Sequence, residues 1–170
     1  MPIAIWLTLA GCAVAGYTDI RSRRIPNWLT ASLAAAALVV HAFGGVWPVV
    51  NSLAVMLVLT IALALVYSRG GIGGGDIKLA IAGSGMLGFP LCVPFLLYTA
   101  IGGGLLAVSF ILSRRSARET ASHVMLLAMG GSQGVAAGKR ETLPYAVAFA
   151  FGAVLLALSQ SIAPFLRITV

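Results

Sequence analysis

Long apolar runs separated by short polar breaks dominate the pattern of hydrophobic and polar positions along the chain. A helix needs roughly 20 apolar residues to cross a lipid bilayer, and most of the runs approach that length. The pattern predicts an all-α, polytopic bundle of about six transmembrane helices. The predicted spans are Ile3 to Tyr17, Trp28 to Phe43, Val49 to Tyr67, Ile77 to Phe89, Leu91 to Leu112 and Leu143 to Phe165.

Clusters of glycine and proline divide the longest apolar stretches. The stretch from Trp28 to Tyr67 has about twice the length of one crossing, and a turn is predicted in its middle at Gly44 to Pro48. A second turn is predicted at Gly88 to Pro94, between the fourth and fifth spans. The fourth span is short, so it is expected either to cross the membrane or to be a partly embedded helix.

Composition restricts the class of protein. Of 170 residues, 60% are apolar and 9% are charged, and the mean hydropathy of +1.03 lies far outside the range of soluble domains. Six crossings with short loops leave no room for a separate soluble domain, so residues 1–170 are expected to form a single membrane domain. The first run has no basic segment before it, which favours a mature span over a signal peptide.

Basic residues are distributed asymmetrically between the predicted loops. Ten of the eleven Lys and Arg residues fall on one side, and only Arg167 falls on the other. The positive-inside rule makes the ten-residue side cytoplasmic. The net charge of +7 is therefore assigned to topology and not to nucleic-acid binding, because no continuous basic stripe is present. The ten are Arg21, Arg23, Arg24, Arg69, Lys78, Arg114, Arg115, Arg118, Lys139 and Arg140.

The sequence indicates no metal or cofactor site. Cys12 and Cys92 both lie in apolar runs, without the Cys/His spacing of a zinc site. His41 and His123 fall far apart in the topology, so they are not expected to act together. The loop from Ser113 to Thr142 contains an apolar piece and a glycine-rich patch, and it is predicted either to lie along the membrane interface or to be disordered.

The chain contains only two aspartates, Asp19 and Asp76, and the predicted topology places both at the cytoplasmic end of a helix. A carboxylate costs about 2.5 to 3.5 kcal/mol at the centre of a membrane helix and less near its ends, so such residues are usually retained for a function. Two simpler roles remain open. Asp19 could form a surface ion pair with Arg21 or Arg23, and Asp76 could be a capping or first-turn acid.

Three glycines precede Asp76, in the segment Gly73-Gly74-Gly75-Asp76. They would let a substrate backbone approach the carboxylate without obstruction by side chains. Two neighbouring carboxyl groups can hydrolyse a peptide, because the ionised one takes a proton from water while the protonated one polarises the scissile carbonyl. Such a pair titrates as a unit, so the sequence leaves open which aspartate is the acid.

Two segments resemble the motifs of the type IV prepilin peptidases, which belong to the GxGD membrane aspartic proteases. Segment 19–27, DIRSRRIPN, is similar to the family's aspartate followed at fixed spacing by Ile-Pro-Asn. Segment 73–79, GGGDIKL, is similar to the GxGD motif with its trailing lysine. Segment 143–148, LPYAVA, resembles the opening of the last span in the short Flp-pilus (tight-adherence) branch.

The resemblance implies catalytic roles for Asp19 and Asp76, motif-glycine roles for Gly73 and Gly75, and a local supporting role for Lys78. The alternative for Lys78 is an ordinary positive-inside anchor. The larger bifunctional members carry a cysteine-rich insert that is missing here, so methyltransferase activity is not expected.

Pro26 and Asn27 are expected to start the second helix, because proline suits a first turn and asparagine can cap it. The resemblance further implies a prepilin as the partner, with a basic leader and a hydrophobic helix that is cleaved at the cytoplasmic face of the bacterial inner membrane. Neither a cofactor nor nucleic acid is implied.

Two rival functions are compatible with part of the pattern. A small proton-coupled transporter would use membrane carboxylates as an ion relay, but its carboxylates should lie near the bilayer centre. A non-catalytic component of pilus assembly would tolerate Asn at both aspartate positions. The boundary position of the two aspartates and the paired motifs favour the peptidase.

Overall fold

The computed structural model describes residues 2–68, 73–113 and 145–167. Every regular element in these residues is a helix, which confirms the predicted all-α class. The chain divides into two compact units, Met1–Gly103 with Pro144–Val170, and Gly104–Leu143. The apolar and glycine-rich parts of the predicted 113–142 loop lie outside the described residues. The helices are α1 Pro2–Ser22, α2 Asn27–Ala42, α3 Val46–Ser68, α4 Gly74–Leu87, α5 Cys92–Ser113 and α6 Tyr145–Arg167.

Three of these helices are long and apolar enough to cross a membrane, over Ile3–Ser22, Val46–Ser68 and Cys92–Ser109. Two shorter apolar helices cover Asn27–Ala42 and Ala146–Ser161. Each predicted span therefore corresponds to a helix, although by length and composition only α1, α3 and α5 qualify as crossings among the described residues. The composition and helix lengths are those of a helical membrane protein.

Helix α4 is the central helix of the first unit, with α1, α2 and α3 packed around it. It has only 14 residues, too few to span a bilayer, and four of them are glycines, two in its first turn and two in its second half, which let neighbouring groups approach closely. The short fourth span of the sequence is therefore a helix enclosed by protein. Its buried residues are Leu79, Ala80, Ala82, Gly83, Ser84, Gly85, Met86 and Leu87.

Helix α3 is apolar over its whole length but packs little against the rest of the unit. Its most apolar window has a mean hydropathy of 2.6 and is only 11% buried. Large side chains such as Leu57, Val58 and Ile61 are all about 60% exposed. In a membrane protein such side chains face lipid, so α3 is a peripheral helix.

Side chains from α3 bind the backbone at the carboxyl end of α4. The Asn51 amide donates to the carbonyl oxygen of Phe89 at 2.8 Å and accepts the Phe89 N–H at 3.1 Å. The buried Ser52 hydroxyl donates to the carbonyl oxygen of Gly85 at 2.8 Å. These bonds satisfy backbone groups that the end of a helix leaves unpaired, so they fix this end of α4 in place.

His41 of α2 adds a third bond at the same end of α4. Its Nε2 lies 3.1 Å from the carbonyl oxygen of Met86, an acceptor, so the ring nitrogen donates. His41 therefore has a structural contact within the bundle, which its position in the sequence did not indicate.

Three helix boundaries, at the end of α1 and at the starts of α3 and α5, differ from the prediction. Helix α1 continues past Tyr17 to Ser22, and the hydroxyls of Thr18 and Ser22 find hydrogen-bond acceptors in the carbonyl oxygens of the preceding turn. Pro48 and Pro94 were predicted in turns, but each is the third residue of its helix. A first-turn residue needs no N–H partner, so proline is accommodated there.

Candidate active site

Asp19 lies in the last turn of α1 and is only 9% exposed. Its Oδ2 accepts a hydrogen bond from the backbone N–H of Ala146 in the first turn of α6, at 3.3 Å. The alternative of a surface ion pair is not supported, because Arg21 donates to the Tyr17 hydroxyl at 3.1 Å instead. Asp19 is therefore a buried carboxyl group at a contact between two helices.

Asp76 lies in the first turn of α4, where the simpler role of a first-turn acid would also place it, and Gly73 occupies the N-cap position without a side-chain bond. Burial, and secondly the negative charge of Asp19, raise the pKa of the Asp76 carboxyl to about 6. The two carboxyl groups, 57 residues apart in the sequence, are thus close enough for the charge of Asp19 to act on Asp76.

The two motif glycines each make room for one particular neighbour. A Cβ on Gly73 would lie 2.9 Å from Oδ2 of Asp76, and a Cβ on Gly75 would lie 3.2 Å from the Cβ of Ile25. Both distances are shorter than ordinary van der Waals contact. Glycine at 73 therefore leaves space for the carboxylate, and glycine at 75 lets the segment before α2 pack onto α4.

Lys78 joins the two motifs directly. Its Nζ donates to Oδ1 of Asn27 at 2.9 Å, so the lysine that follows Asp76 is bonded to the asparagine that follows Ile25 and Pro26. Asn27 is the first residue of α2, and Pro26 occupies the N-cap position without a side-chain cap bond. The expected capping role of Asn27 is therefore wrong, because its amide oxygen is used to bind Lys78.

The turn after α1 brings Ile25 to its position against α4. Arg23 adopts a left-handed backbone conformation with φ of 51°, and its N–H donates to the carbonyl oxygen of Asp19 at 2.8 Å. This ends α1 within one turn of Asp19. The segment that follows leads into Pro26 and α2.

Asp76 and Lys78 lie on different sides of α4, because residues two apart in a helix are separated by about 200° around its axis. Lys78 and Asn27 border an open groove of about 460 Å³ between α2 and α4. Apart from the polar groups of Asn27, Thr30 and Lys78, this groove is apolar. Its remaining lining residues are Ala31, Ala34, Ile81 and Ala82.

Candidate metal ligands do not cluster in the described ranges, where no group of three or more His, Cys, Asp or Glu residues could hold an ion. Cys12 and Cys92 are buried free thiols.

The sequence did not show two contacts of the site, those of the Ile25 side chain and of the Ala146 N–H. Pro144, which precedes α6 in the sequence, could have indicated that a helix begins there but not that it begins beside Asp19.

A comparison of the sequence with models of known protein families identifies a family that includes both motifs. The model of the type IV leader peptidase family matches residues 6–108, which include both aspartates, the motif glycines and Lys78. No curated protein and no solved structure matches the chain. The match covers more than half of the 170 residues. The chain therefore belongs to the type IV leader peptidase family and is a membrane peptidase.

Proposed function

We propose that this protein removes the leader peptide of type IV, Flp-like prepilins as an aspartic endopeptidase whose catalytic pair is Asp19 and Asp76. One observation carries the proposal. The only two aspartates of the chain come from motifs far apart in sequence, and burial together with the negative charge of Asp19 raises the pKa of Asp76. A buried carboxyl group beside a second, charged one suits the shared-proton chemistry of aspartic peptidases.

The proposed reaction needs one ionised and one protonated carboxyl group. The ionised group removes a proton from water, whose oxygen attacks the scissile carbonyl carbon, while the protonated group donates to the carbonyl oxygen. Collapse of the tetrahedral intermediate breaks the C–N bond and transfers a proton to the departing nitrogen. No further group is required to balance this reaction.

The supporting residues would hold Asp76 in position. In this role Gly73 leaves room for its carboxylate, Gly75 admits Ile25, and Lys78 bonds to Asn27. Pro26 and Asn27, the remaining motif residues, form the start of α2. The proposed contribution of these residues is geometric, because peptide hydrolysis is sensitive to small displacements of the reacting groups.

The proposed site of cleavage is the cytoplasmic face of the bacterial inner membrane. Ten of eleven basic residues fall on the aspartate side of the predicted topology, which favours a cytoplasmic location for the pair. A prepilin with a basic leader and a hydrophobic helix would present the bond between them at this level. Segment 143–148 supports an Flp-like substrate.

Family membership weighs against the transporter and the non-catalytic assembly component. The position of Asp76 in the first turn of α4, and of Asp19 in the last turn of α1, also differs from the mid-membrane carboxylates of an ion relay.

The proposal is tested by co-expression with an epitope-tagged Flp-type prepilin. We expect a leader-sized change in gel mobility with the wild type and none with Asp76→Asn, provided that both forms of the peptidase are in the membrane. Glu141→Gln is the matched control, since it also neutralises one acidic residue and should leave processing intact. Full processing by Asp76→Asn would contradict the proposal.

A further inference from the structure

We infer that Asp19 is the ionised member of the pair and acts as the base, that Asp76 carries the proton, and that the backbone N–H of Ala146 sets this difference. The inference rests on the proposed function and assigns a separate role to each carboxyl group. It also makes α6, which lies beyond the residues matched by the family model, part of the active site.

The hydrogen bond between Ala146 and Asp19 is the first observation. Ala146 is the second residue of α6, where a backbone N–H has no partner within its own helix. At 3.3 Å this N–H donates to Oδ2 of Asp19, and both residues are buried. A hydrogen bond donated to a carboxylate stabilises its charged form, and it does so more strongly where water is excluded.

The packing of α1 on α6 holds this donor in place. A Cβ on Gly16 would lie 3.6 Å from the carbonyl oxygen of Ala146 and 3.8 Å from the Cβ of Ala150. Ala15 and Ala146 are fully buried. Small residues on both helices thus bring the backbones together one turn before Asp19, so the N–H is preorganised to bind the carboxylate.

Within the ranges that the structure describes, no N–H or O–H group donates a hydrogen bond to the Asp76 carboxyl group in the way that Ala146 donates to Asp19. The electrostatic partner of Asp76 in these ranges is the charge of Asp19. Asp76 is partly buried, and burial together with the Asp19 charge raises its pKa to about 6. A charged Asp19 thus disfavours a second negative charge beside it, which is the condition for a pair that holds one proton.

Two helix ends act in the opposite direction. Asp19 lies at the carboxyl end of α1, where the helix dipole favours the protonated form of a carboxyl group. Asp76 lies at the amino end of α4, where the helix dipole favours the charged form. Such effects are weaker than a direct hydrogen bond to a buried carboxylate. The donor on Asp19 and the burial of Asp76 therefore decide the distribution of the proton.

Cations of the described residues do not reverse this assignment. On α1 itself, Arg21 donates to the Tyr17 hydroxyl, and on α4 Lys78 donates to Asn27 on the side facing α2. On α6, the titratable Tyr145 lies against Gly103 of α5. Arg23 and Arg24, which follow α1, are exposed. Among the described residues, the charge that acts on Asp76 is therefore that of Asp19.

The assignment gives a balanced proton path. Asp19 takes a proton from water as the water oxygen bonds to the carbonyl carbon, and Asp76 gives its proton to the carbonyl oxygen. When the C–N bond breaks, Asp19 passes its proton to the leaving nitrogen and the hydroxyl returns a proton to Asp76. The pair is then restored to its starting state.

Carbon-13 NMR of the full chain in lipid nanodiscs tests the assignment without a substrate. Because the chain has only two aspartates, labelling the aspartate side-chain carboxyl carbon gives two signals, each identified by its loss in Asp19→Asn or Asp76→Asn. As the pH is lowered, we expect the Asp76 signal to be the first to move, near pH 6. Movement of the Asp19 signal first would overturn the inference, even if a prepilin is cleaved.

A matched pair of proline variants tests the role of the donor. Ala146→Pro removes the N–H that binds Asp19, whereas Tyr145→Pro places proline one residue earlier and keeps that N–H. We expect Ala146→Pro alone to shift the Asp19 signal toward its protonated position and to lower the cleavage rate about tenfold, which is the scale of one hydrogen bond to a charged group. An unchanged Asp19 signal in a folded Ala146→Pro variant would show that the donor does not set the charge. Failure of all forms to cleave the prepilin would count against the proposed function and leave the NMR result valid.

Discussion

The two ends of α4 are held in different ways. At the carboxyl end, Asn51, Ser52 and His41 bind backbone groups directly. At the amino end, which carries Asp76, the described contacts are the packing of Gly75 against Ile25 and one exposed bond from Lys78. One end of the helix is thus anchored by polar bonds, while the end that carries Asp76 is positioned mainly by close packing at glycine.

The packing of Gly75 on Ile25, at the end of α4 that carries Asp76, gives the largest expected effect after loss of an aspartate. Gly75→Val would press on Ile25, because even a Cβ would lie 3.2 Å from that side chain. Displacing Asp76 by about 1 Å should lower the cleavage rate on the order of 100-fold. Gly74→Val is the matched control, since a Cβ there would make an ordinary contact of 3.7 Å with Tyr67. Equal rates for the two variants in a prepilin cleavage assay would contradict the role of Gly75.

The bond between Lys78 and Asn27 should have a smaller effect on the same assay. Lys78→Met keeps most of the apolar stem of the side chain but removes the donor, so α4 loses its polar contact with the start of α2. We expect the cleavage rate to fall roughly tenfold at most, since a bond of this kind contributes about 1 to 2 kcal/mol. Asn27→Ala should have a similar effect, and the double variant should be no worse than either single one. Additive losses would mean that the two side chains act independently.

At the anchored end, Asn51→Ala should affect stability more than chemistry. The variant removes two bonds to the backbone of Phe89 and leaves those groups unpaired. We expect a loss of about 1 to 2 kcal/mol in the free energy of unfolding, seen as a lower melting temperature in detergent. The cleavage rate below the melting temperature should stay near that of the wild type. A large loss of activity without a loss of stability would show that this end also shapes the active site.

The smallest expected effect is a pH dependence of stability, which arises from Asp76 at the amino end of α4. Because the pKa of Asp76 is raised from 3.8 to about 6, the folded state binds its proton more tightly than the unfolded state. The resulting stabilisation is present below pH 4 and is lost as the pH rises through 6. Asp76→Asn cannot lose it, so the melting temperature of the wild type should fall relative to the variant between these pH values. A constant difference between the two would contradict the raised pKa.

Much of the fold could be predicted from the sequence because apolar runs and their interruptions are local signals. The six predicted spans correspond to the six described helices. What hydropathy could not show is which helix faces lipid. Helix α3, with the highest mean hydropathy among the candidate spans, is the least buried, whereas the short α4 is enclosed by its neighbours. In a bilayer an apolar surface marks contact with lipid as readily as contact with protein.

The candidate site was predicted only as far as its motifs. Asp19, Asp76 and the glycines could be identified because their residue types and spacing carry chemical meaning. The bond of Lys78 to Asn27 and the bond of Ala146 to Asp19 depend on how distant helices pack. The second is donated by the backbone, which leaves no trace in the identity of the residue. Tertiary packing therefore decided the part of the site that the sequence did not show.

The central claim is that Asp19 and Asp76 act as one catalytic pair. Its most direct test uses the purified protein in nanodiscs with an Flp-type prepilin, and detects the released leader by mass spectrometry. We expect leader release by the wild type and by Glu141→Gln, and a loss of at least about 1,000-fold in both Asp19→Asn and Asp76→Asn, since removing either member of an acid–base pair stops the reaction. Near-normal release by either aspartate variant, present in the membrane at wild-type level, would contradict the claim.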